Sequence, residues 1–467
     1  MATDAFLTRF ARWAMSLDYN AIPKPVIDKT KLLLLDTFGC ALTGSGSRVA
    51  SGTRKTVEMM GGAPQATLIG TSHKTSVINA VLANTVFIRS LEINDIMGND
   101  PTDGAKLGGH PSDNVSTVLA MGEWKNRSGR DALTATVLAY EVFGRAQRLL
   151  ERGMPWDHTT AHAFASAAAA GRLLGLSEVQ FANALGLVAS HCPIFVVVRR
   201  GEISDAKFMA SALGAQLGAQ SAVLAMNGVT GPVGTFEDPD RSFKDAVFPN
   251  RDENEWIKPF GPKFMMEGVT IKAYPSLDTG QALAEAACQM SRLLKRKTDD
   301  IAKIEVVMTD IPMVVHQMND PGRRNPKLQA AATHSFYFLA AVPLIDGVLT
   351  PATFEEGERW LDPQVTALMD KVSLSVDKKW LEKAPGGMPA TFTVTLKSGQ
   401  THRVEVPYAP GHQYNMMTAD QVLEKMANNT GPASTPQSRA AIVAAVDGMD
   451  RDGFTVPDLV KVLGRCN

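Results

Sequence analysis

The chain has 467 residues, a formal net charge of −1, and 45% hydrophobic against 20% charged residues. That composition excludes a disordered chain and gives no basic excess for holding nucleic acid or an anionic membrane surface. The length exceeds one ordinary core, so two or three domains are expected at roughly 150 residues each.

The N-terminal Met-Ala-Thr-Asp-Ala-Phe-Leu lacks the basic-then-apolar pattern of a secretory signal, and a cytoplasmic protein is expected. The longest apolar run, 336–345, contains Pro343 and is far shorter than the ~20 residues that cross a bilayer. Cys40, Cys192, Cys288 and Cys466 stand far apart with no CxxC, which indicates neither a zinc site nor a disulfide framework.

In chain order, the first 260 residues read as successive helices. Residues 24–44 start after Pro23 and stop at Gly44, with apolar residues on most faces, as in a buried helix. Residues 76–92, 131–150 and 177–190 repeat the pattern, and 163–173 carry an alanine run. Residues 204–227 are dense in Ala and Gly, which lets helix axes approach closely. The pattern changes near 265. A short strand is expected at 270–274 and a helix at 279–294. Segments 301–308, 372–376, 391–396 and 401–406 mostly alternate with period two and read as one antiparallel sheet, with a hairpin turn at 397–400. Helices at 333–345 and 363–370 sit among these strands. After Pro407 helices return at 418–428, 436–446 and 456–464, so the tail is expected to rejoin the first domain. The fold class is mainly α: a large all-helical domain with an inserted, smaller α+β segment.

The chemistry concentrates in a few places. Glu92-Ile93-Asn94-Asp95 precedes Gly109-His110-Pro111-Ser112-Asp113-Asn114. His110 stands just before a helix start, where an anion is favoured, and imidazole suits proton transfer near neutrality. The alternative is a capping turn with an incidental histidine. His158 and His162 are spaced i,i+4, but Thr159 stands where a zinc protease needs Glu, so no metal is expected. His158 follows Asp157, a helix-capping type, and is either a neighbour of that cap or a second catalytic imidazole. Lys207 opens the Ala/Gly-rich helix, where it opposes the helix dipole. A bound carboxylate would compensate it; otherwise it is a solvated lysine. Lys272 lies at the domain change, a favoured ligand position, or is an exposed strand lysine above Tyr274. The hydroxyls of Tyr274 and Tyr337 either donate to substrate or are buried and bonded. No GxGxxG, GxxxxGK[ST] or GxSxG occurs, so nucleotide cofactors and an elbow serine are unsupported.

Six segments in order resemble the MmgE/PrpD family, which contains 2-methylcitrate dehydratases, cis-aconitate decarboxylases and iminodisuccinate epimerases. They are Leu34-Leu35-Asp36-Thr37-Phe38-Gly39-Cys40-Ala41; the Glu92–Asp95 and Gly109–Asn114 pair; His158 with 165–176; Lys207 with the turn 228–232; Lys272-Ala273-Tyr274-Pro275-Ser276; and Asn319-Asp320-Pro321 with Ala332-Thr333-His334-Ser335-Phe336-Tyr337. The resemblance implies an all-helical main domain over 1–267 plus 407–467, an α+β lid over 268–406, and a homodimer. It also implies a site between the domains that needs no metal or organic cofactor. His110, His158, Lys207 and Lys272 match the family's catalytic positions, with Glu92, Asp95, Tyr274, Ser276 and Tyr337 as substrate-binding neighbours. Glu92 or Asp95 would orient His110. Departures concern the decarboxylase branch: Glu92 stands for its Asp, Ile96 for its Thr, the loop 95–110 is longer, and 277–280 lacks a family histidine. The expected activity is dehydration of a small polycarboxylate of the 2-methylcitrate type. The alternatives are decarboxylation, epimerisation, or a silent carboxylate-binding homologue.

Overall fold

The computed structural model describes residues 4–150, 155–199, 203–355 and 357–464. Helices follow one another from the start: α1 (Phe6–Met15), α2 (Lys24–Gly44), α3 (Arg48–Met60), α4 (Val77–Arg89), α5 (Val115–Trp124), α6 (Gly129–Leu149), α7 (Ala161–Leu174), α8 (Glu178–His191) and α9 (Ala206–Met226). Their starts are written locally. Ser47, Ser76, Ser128 and Ser177 each accept a hydrogen bond from the backbone of the first turn, worth about 1 kcal/mol apiece. Asp131 and Gln180 complete capping boxes for α6 and α8.

Helices α2 and α4 are buried on most faces and pack on each other. At the centre α9 packs against α4, α7 and α8. Gly218 makes that approach possible, because a Cβ there would stand 2.1 Å from the carbonyl oxygen of Ala163. Among the described residues α9 is also the helix long and apolar enough to cross a membrane, a property that core helices share. Its Ser, Gly and Gln residues interrupt any continuous apolar run in the sequence.

Later elements follow the expected order, with two corrections. First, residues 270–274 are not a strand. Only β4 (Val269–Thr270) pairs, antiparallel with β3 (Ile96–Met97), as β1 (Ala66–Thr67) pairs with β2 (Lys74–Thr75) earlier in the chain. Beyond it the Ile271 N–H donates to Gly411 O and the chain turns before Pro275, which has no N–H to extend a ladder. Second, the large sheet is mixed. Its order is β6 (Val372–Asp377), β5 (Ile301–Thr309), β7 (Ala390–Leu396), β8 (Thr401–Val406), and β5 pairs with β6 in parallel. Period-two alternation reports a half-buried face, not a strand direction. The long helical connection between β5 and β6, including the helices Phe336–Asp346 and Pro363–Met369, permits the parallel crossover.

Buried apolar residues form two large clusters. One runs from Phe6 to Ile271 and resumes from Met417 to Leu463. The other spans Leu277 to Ala409 and covers the sheet with the helices Gln281–Leu294 and Phe336–Asp346. The tail does return to the first core: the helix Ala419–Thr430 packs on α2. Cys40, Cys192 and Cys288 are buried free thiols, and Cys466 lies outside the described residues.

Candidate active site

A cavity of about 290 Å³ lies where the two cores meet. His110, His158, Lys207 and Lys272 all line it, with Glu92 among them. The lining is electropositive: Arg89, Lys106, Arg199, Lys207, Lys272 and Arg323 stand against Glu92 and Asp278. Such a surface suits a ligand with several carboxylates.

His110 sits directly before a 3-10 turn, Pro111–Asn114, that leads into α5. Gly109 sets its entry with φ +82°, and a Cβ there would strike the Phe143 and His158 rings. The His110 Nδ1 lies 2.6 Å from the carbonyl oxygen of Asp95. A carbonyl only accepts, so Nδ1 carries the hydrogen and Nε2 is the basic nitrogen. Burial, then Arg89 and Lys272, hold the His110 pKa well below the ordinary value. The ring is therefore neutral and ready to take a proton.

Orientation of His110 comes from the backbone of Asp95, not from a carboxylate as expected. The Asp95 side chain faces inward, where Oδ1 accepts from the N–H and hydroxyl of Ser112 and Oδ2 from the Tyr140 hydroxyl. Ser112 thus binds Asp95 instead of capping α5. Burial raises the Asp95 carboxyl to about 6.

Glu92 is the ionic centre. Its φ of +57° is costly for a residue with a side chain. Its carboxylate lies 3.1 Å from Arg89 Nη1, 2.7 Å from Lys207 Nζ and 3.5 Å from Lys272 Nζ. Burial opposes its charge, but these three cations together hold its pKa well below the usual range. Neither lysine is a surface lysine: Lys207 is 3% and Lys272 1% exposed. The compensation that Lys207 needs at the start of α9 comes from within the protein. Burial still lowers Lys207 to about 7, against the opposing pull of Glu92. The Lys272 ammonium also donates to Ser276 O at 3.1 Å.

His158 and His162 do not share a function. His158 lines the cavity, and its Nε2 accepts from Arg199 at 3.2 Å. Arg199 is itself tied to Asp157 at 2.7 Å, and burial pushes His158 down to about 3. As expected, the Asp157 side chain caps this turn. His162 is fully buried behind the site, stacked on Phe143 with Nδ1 near Asn114 Oδ1. Among the described residues no three His, Cys, Asp or Glu side chains gather as metal ligands.

Besides Asp95, three more expected substrate contacts fall elsewhere. Tyr274 directs its hydroxyl onto Glu285, and Tyr337 packs against the second core beneath Arg324, so neither lines the cavity. The Ser276 hydroxyl accepts from Gln281, and only its backbone touches Lys272. For Tyr274 and Ser276, neighbours inside the second core take the polar group first.

The structure adds residues that the sequence reading left out. His334 Nε2 lies 3.0 Å from Lys207 Nζ, while its Nδ1 faces Ala330 O at 3.0 Å. His334 lines the cavity and comes from a segment already singled out for its Thr-His-Ser run. Arg89, Arg199 and Arg323 had no motif to mark them. The long loop 95–110 forms one wall: Leu107 and Gly108 line the cavity, and Lys106 reaches Asp278 at 3.4 Å. Behind the acidic segment Lys425 pairs with Asp36 at 2.5 Å and donates to Ile93 O at 2.7 Å, so the returning tail braces Glu92–Asp95.

Comparison with known proteins agrees with this arrangement. Residues 8–255 match the MmgE/PrpD N-terminal domain and residues 274–450 match the MmgE/PrpD C-terminal domain. A mitochondrial 2-methylcitrate dehydratase of Yarrowia lipolytica is 26% identical, covering 95% of this chain and 88% of the relative. The alkylcitrate dehydratase phiI of Fungal sp. (strain ATCC 74256) is 27% identical over 88% of this chain and 85% of its own length. The cis-aconitate decarboxylase of Mus musculus is 24% identical over 94% and 90%. With both domains matched in order around a site built from the motifs that carry the resemblance, the chain belongs to the MmgE/PrpD family.

Proposed function

We propose that the protein is a hydro-lyase that dehydrates a citrate-type tricarboxylate, as the names of its dehydratase relatives describe for them. The observation that carries this reading is the pairing of a neutral, Nδ1-fixed His110 with two buried lysines around Glu92 in one cationic cavity. His110 Nε2 takes the proton from the carbon next to a substrate carboxylate. The electron pair moves onto that carboxylate, where Lys272 and Arg89 offset the charge, and then expels the hydroxyl on the neighbouring carbon. The hydroxyl leaves as water after receiving a proton. Lys207 is the donor best matched to that step, because burial brings it to about 7. His158 accepts from Arg199 and is neutral, so it serves as a wall of the site and not as the acid. The second core closes over the first as a lid comprising 268–406, bringing Lys272, Arg323 and His334 to the substrate.

Product analysis tests the reaction. Incubation with 2-methylcitrate is expected to release water and leave an unsaturated tricarboxylate. Carbon dioxide released from cis-aconitate, with 2-methylcitrate untouched, would overturn the reading in favour of decarboxylation. The pH profile tests the donor. Lys207 must be protonated to act, so kcat/KM is expected to fall as pH rises through about 7. A profile flat from pH 6 to 9 would remove Lys207 from that role.

We further propose a homodimer through the apolar face beside the site. Val197 and Leu213 are 68% and 52% exposed, and Leu224 shares the Leu213 side of α9. The turn Val196–Arg199 packs on α9, so this face adjoins Arg199 in the cavity wall. Leu213→Glu combined with Val197→Asp is expected to reduce the mass seen by light scattering from twice the chain mass to once. An unchanged mass rules this face out as the interface.

A further inference from the structure

The other cavity cations are tied to groups inside the site, although Arg89 Nε and Nη2 are also buried without a hydrogen-bond partner. Lys207, Lys272 and Arg89 converge on Glu92, and Arg199 is tied to Asp157 and His158. Arg323 differs. It lies in the short helical turn Pro321–Arg324 and lines the site together with residues of α4 and α9. Its Nε donates to Asp320 Oδ2 at 3.1 Å, and Asp320 is held in turn by the Gly322 N–H at 2.9 Å. The guanidinium is thus fixed along one edge. Its Nη1 is buried and has no hydrogen-bond partner. A buried guanidinium donor left without an acceptor is unfavourable, and its forked geometry matches a carboxylate.

The position also carries information. Arg323 lines the reaction cavity and also an adjoining one of about 880 Å³, bordered by Asn319, Asn325 and Lys327. With Arg199 and His334 it marks the junction between them. A substrate whose reacting carbons lie between His110 and Lys207 extends its far end towards this junction.

Resting on the dehydratase reading, we propose that Arg323 is the specificity-determining residue for the third carboxylate. It binds that group through its Nη edge and selects tricarboxylates over dicarboxylates. Asp320 is its positioning residue, since it acts only by fixing the guanidinium. Selectivity then arises from pairing at one place: a dicarboxylate leaves the buried Arg323 Nη1 without an acceptor, which penalises the wrong ligand.

The test uses two unreactive ligands that differ by one terminal carboxylate, propane-1,2,3-tricarboxylate and methylsuccinate, with binding measured by calorimetry. The wild-type protein is expected to prefer the tricarboxylate at least tenfold. Arg323→Met is expected to erase that preference and leave methylsuccinate affinity within about twofold of wild type. Arg323→Lys, which keeps the charge without the fork, is expected to retain part of it. A preference that survives in Arg323→Met, or an equal loss for both ligands, overturns the proposal. So does a wild-type protein without preference. If Arg323→Met does not fold, the Arg323→Lys comparison and Asp320→Asn, expected to lower the preference by weakening the hold on Nε, carry the test. Neither ligand is turned over. A preference that depends on Arg323, in a protein that fails to dehydrate 2-methylcitrate, would support this proposal while rejecting the reaction.

Discussion

Replacing His110 by glutamine is expected to lower kcat by about a thousandfold, within the 10²–10⁴ range that a positioned general base contributes. The fold should survive. Glutamine is polar and uncharged like the neutral ring, so the cost is confined to the altered hydrogen bond to Asp95 O, about 1 kcal/mol. What it lacks is a basic nitrogen in the place of Nε2. Because burial and the nearby Arg89 and Lys272 already keep His110 neutral, the wild-type rate should hold its base form well below the ordinary histidine range. Stopped assays with 2-methylcitrate, beside a thermal melt of each protein, make the comparison. A variant with full activity would remove His110 from the mechanism and return it to a capping turn.

Glu92→Gln should be the most damaging substitution for stability. The wild-type carboxylate stands within 3.5 Å of three cationic groups, all buried. The amide keeps the shape but leaves Arg89, Lys207 and Lys272 facing one another. Removing one partner of a buried ionic cluster typically costs about 3–5 kcal/mol. Lys207 can relieve part of this by losing its proton, because burial already brings it to about 7. The backbone strain at φ +57° is common to both proteins and cancels. Linkage gives a second signature. The folded-state pKa of Glu92 is depressed, so its stabilisation is fully present above the unfolded value of about 4.5 and is lost as pH falls towards the folded value. The gap between wild type and variant should therefore be widest near neutrality and should narrow below that value. Urea unfolding across pH 3–8 measures it. A variant as stable as wild type at pH 7 would mean that the cluster is neutralised in some other way.

Much of this site is legible in the sequence, though by different routes. Helix limits are local: Ser128 with Asp131 and Ser177 with Gln180 cap the starts of α6 and α8, close to the expected helices 131–150 and 177–190. His110, His158, Lys207 and Lys272 emerge from ordered motifs, and all four line one cavity. Tyr274 and Tyr337 come from the same motifs and do not, because their hydroxyl and ring find partners within their own core. A motif reports which residue types recur together. It does not report which of two competing neighbours a side chain meets.

The amino-acid order by itself determined the succession of helices and the place where alternation replaces helical periodicity, and through its resemblance to a family it pointed to four residues that line one cavity. The helices and strands follow from short-range rules: the 3.6- and 2-residue periods, capping by Ser and Asp, and the breaks at Pro and Gly. Only the tertiary structure decided that Glu92 neutralises both lysines, that Asp95 orients His110 through its carbonyl, and that β5 runs parallel to β6. It alone placed His334 against Lys207 across 127 residues of chain and left Arg323 with an unpaired donor at the cavity junction. The reason is physical. Local pattern sets how each segment folds and which face it buries, but charges and hydrogen bonds are satisfied between segments, at distances that no window along the chain can see.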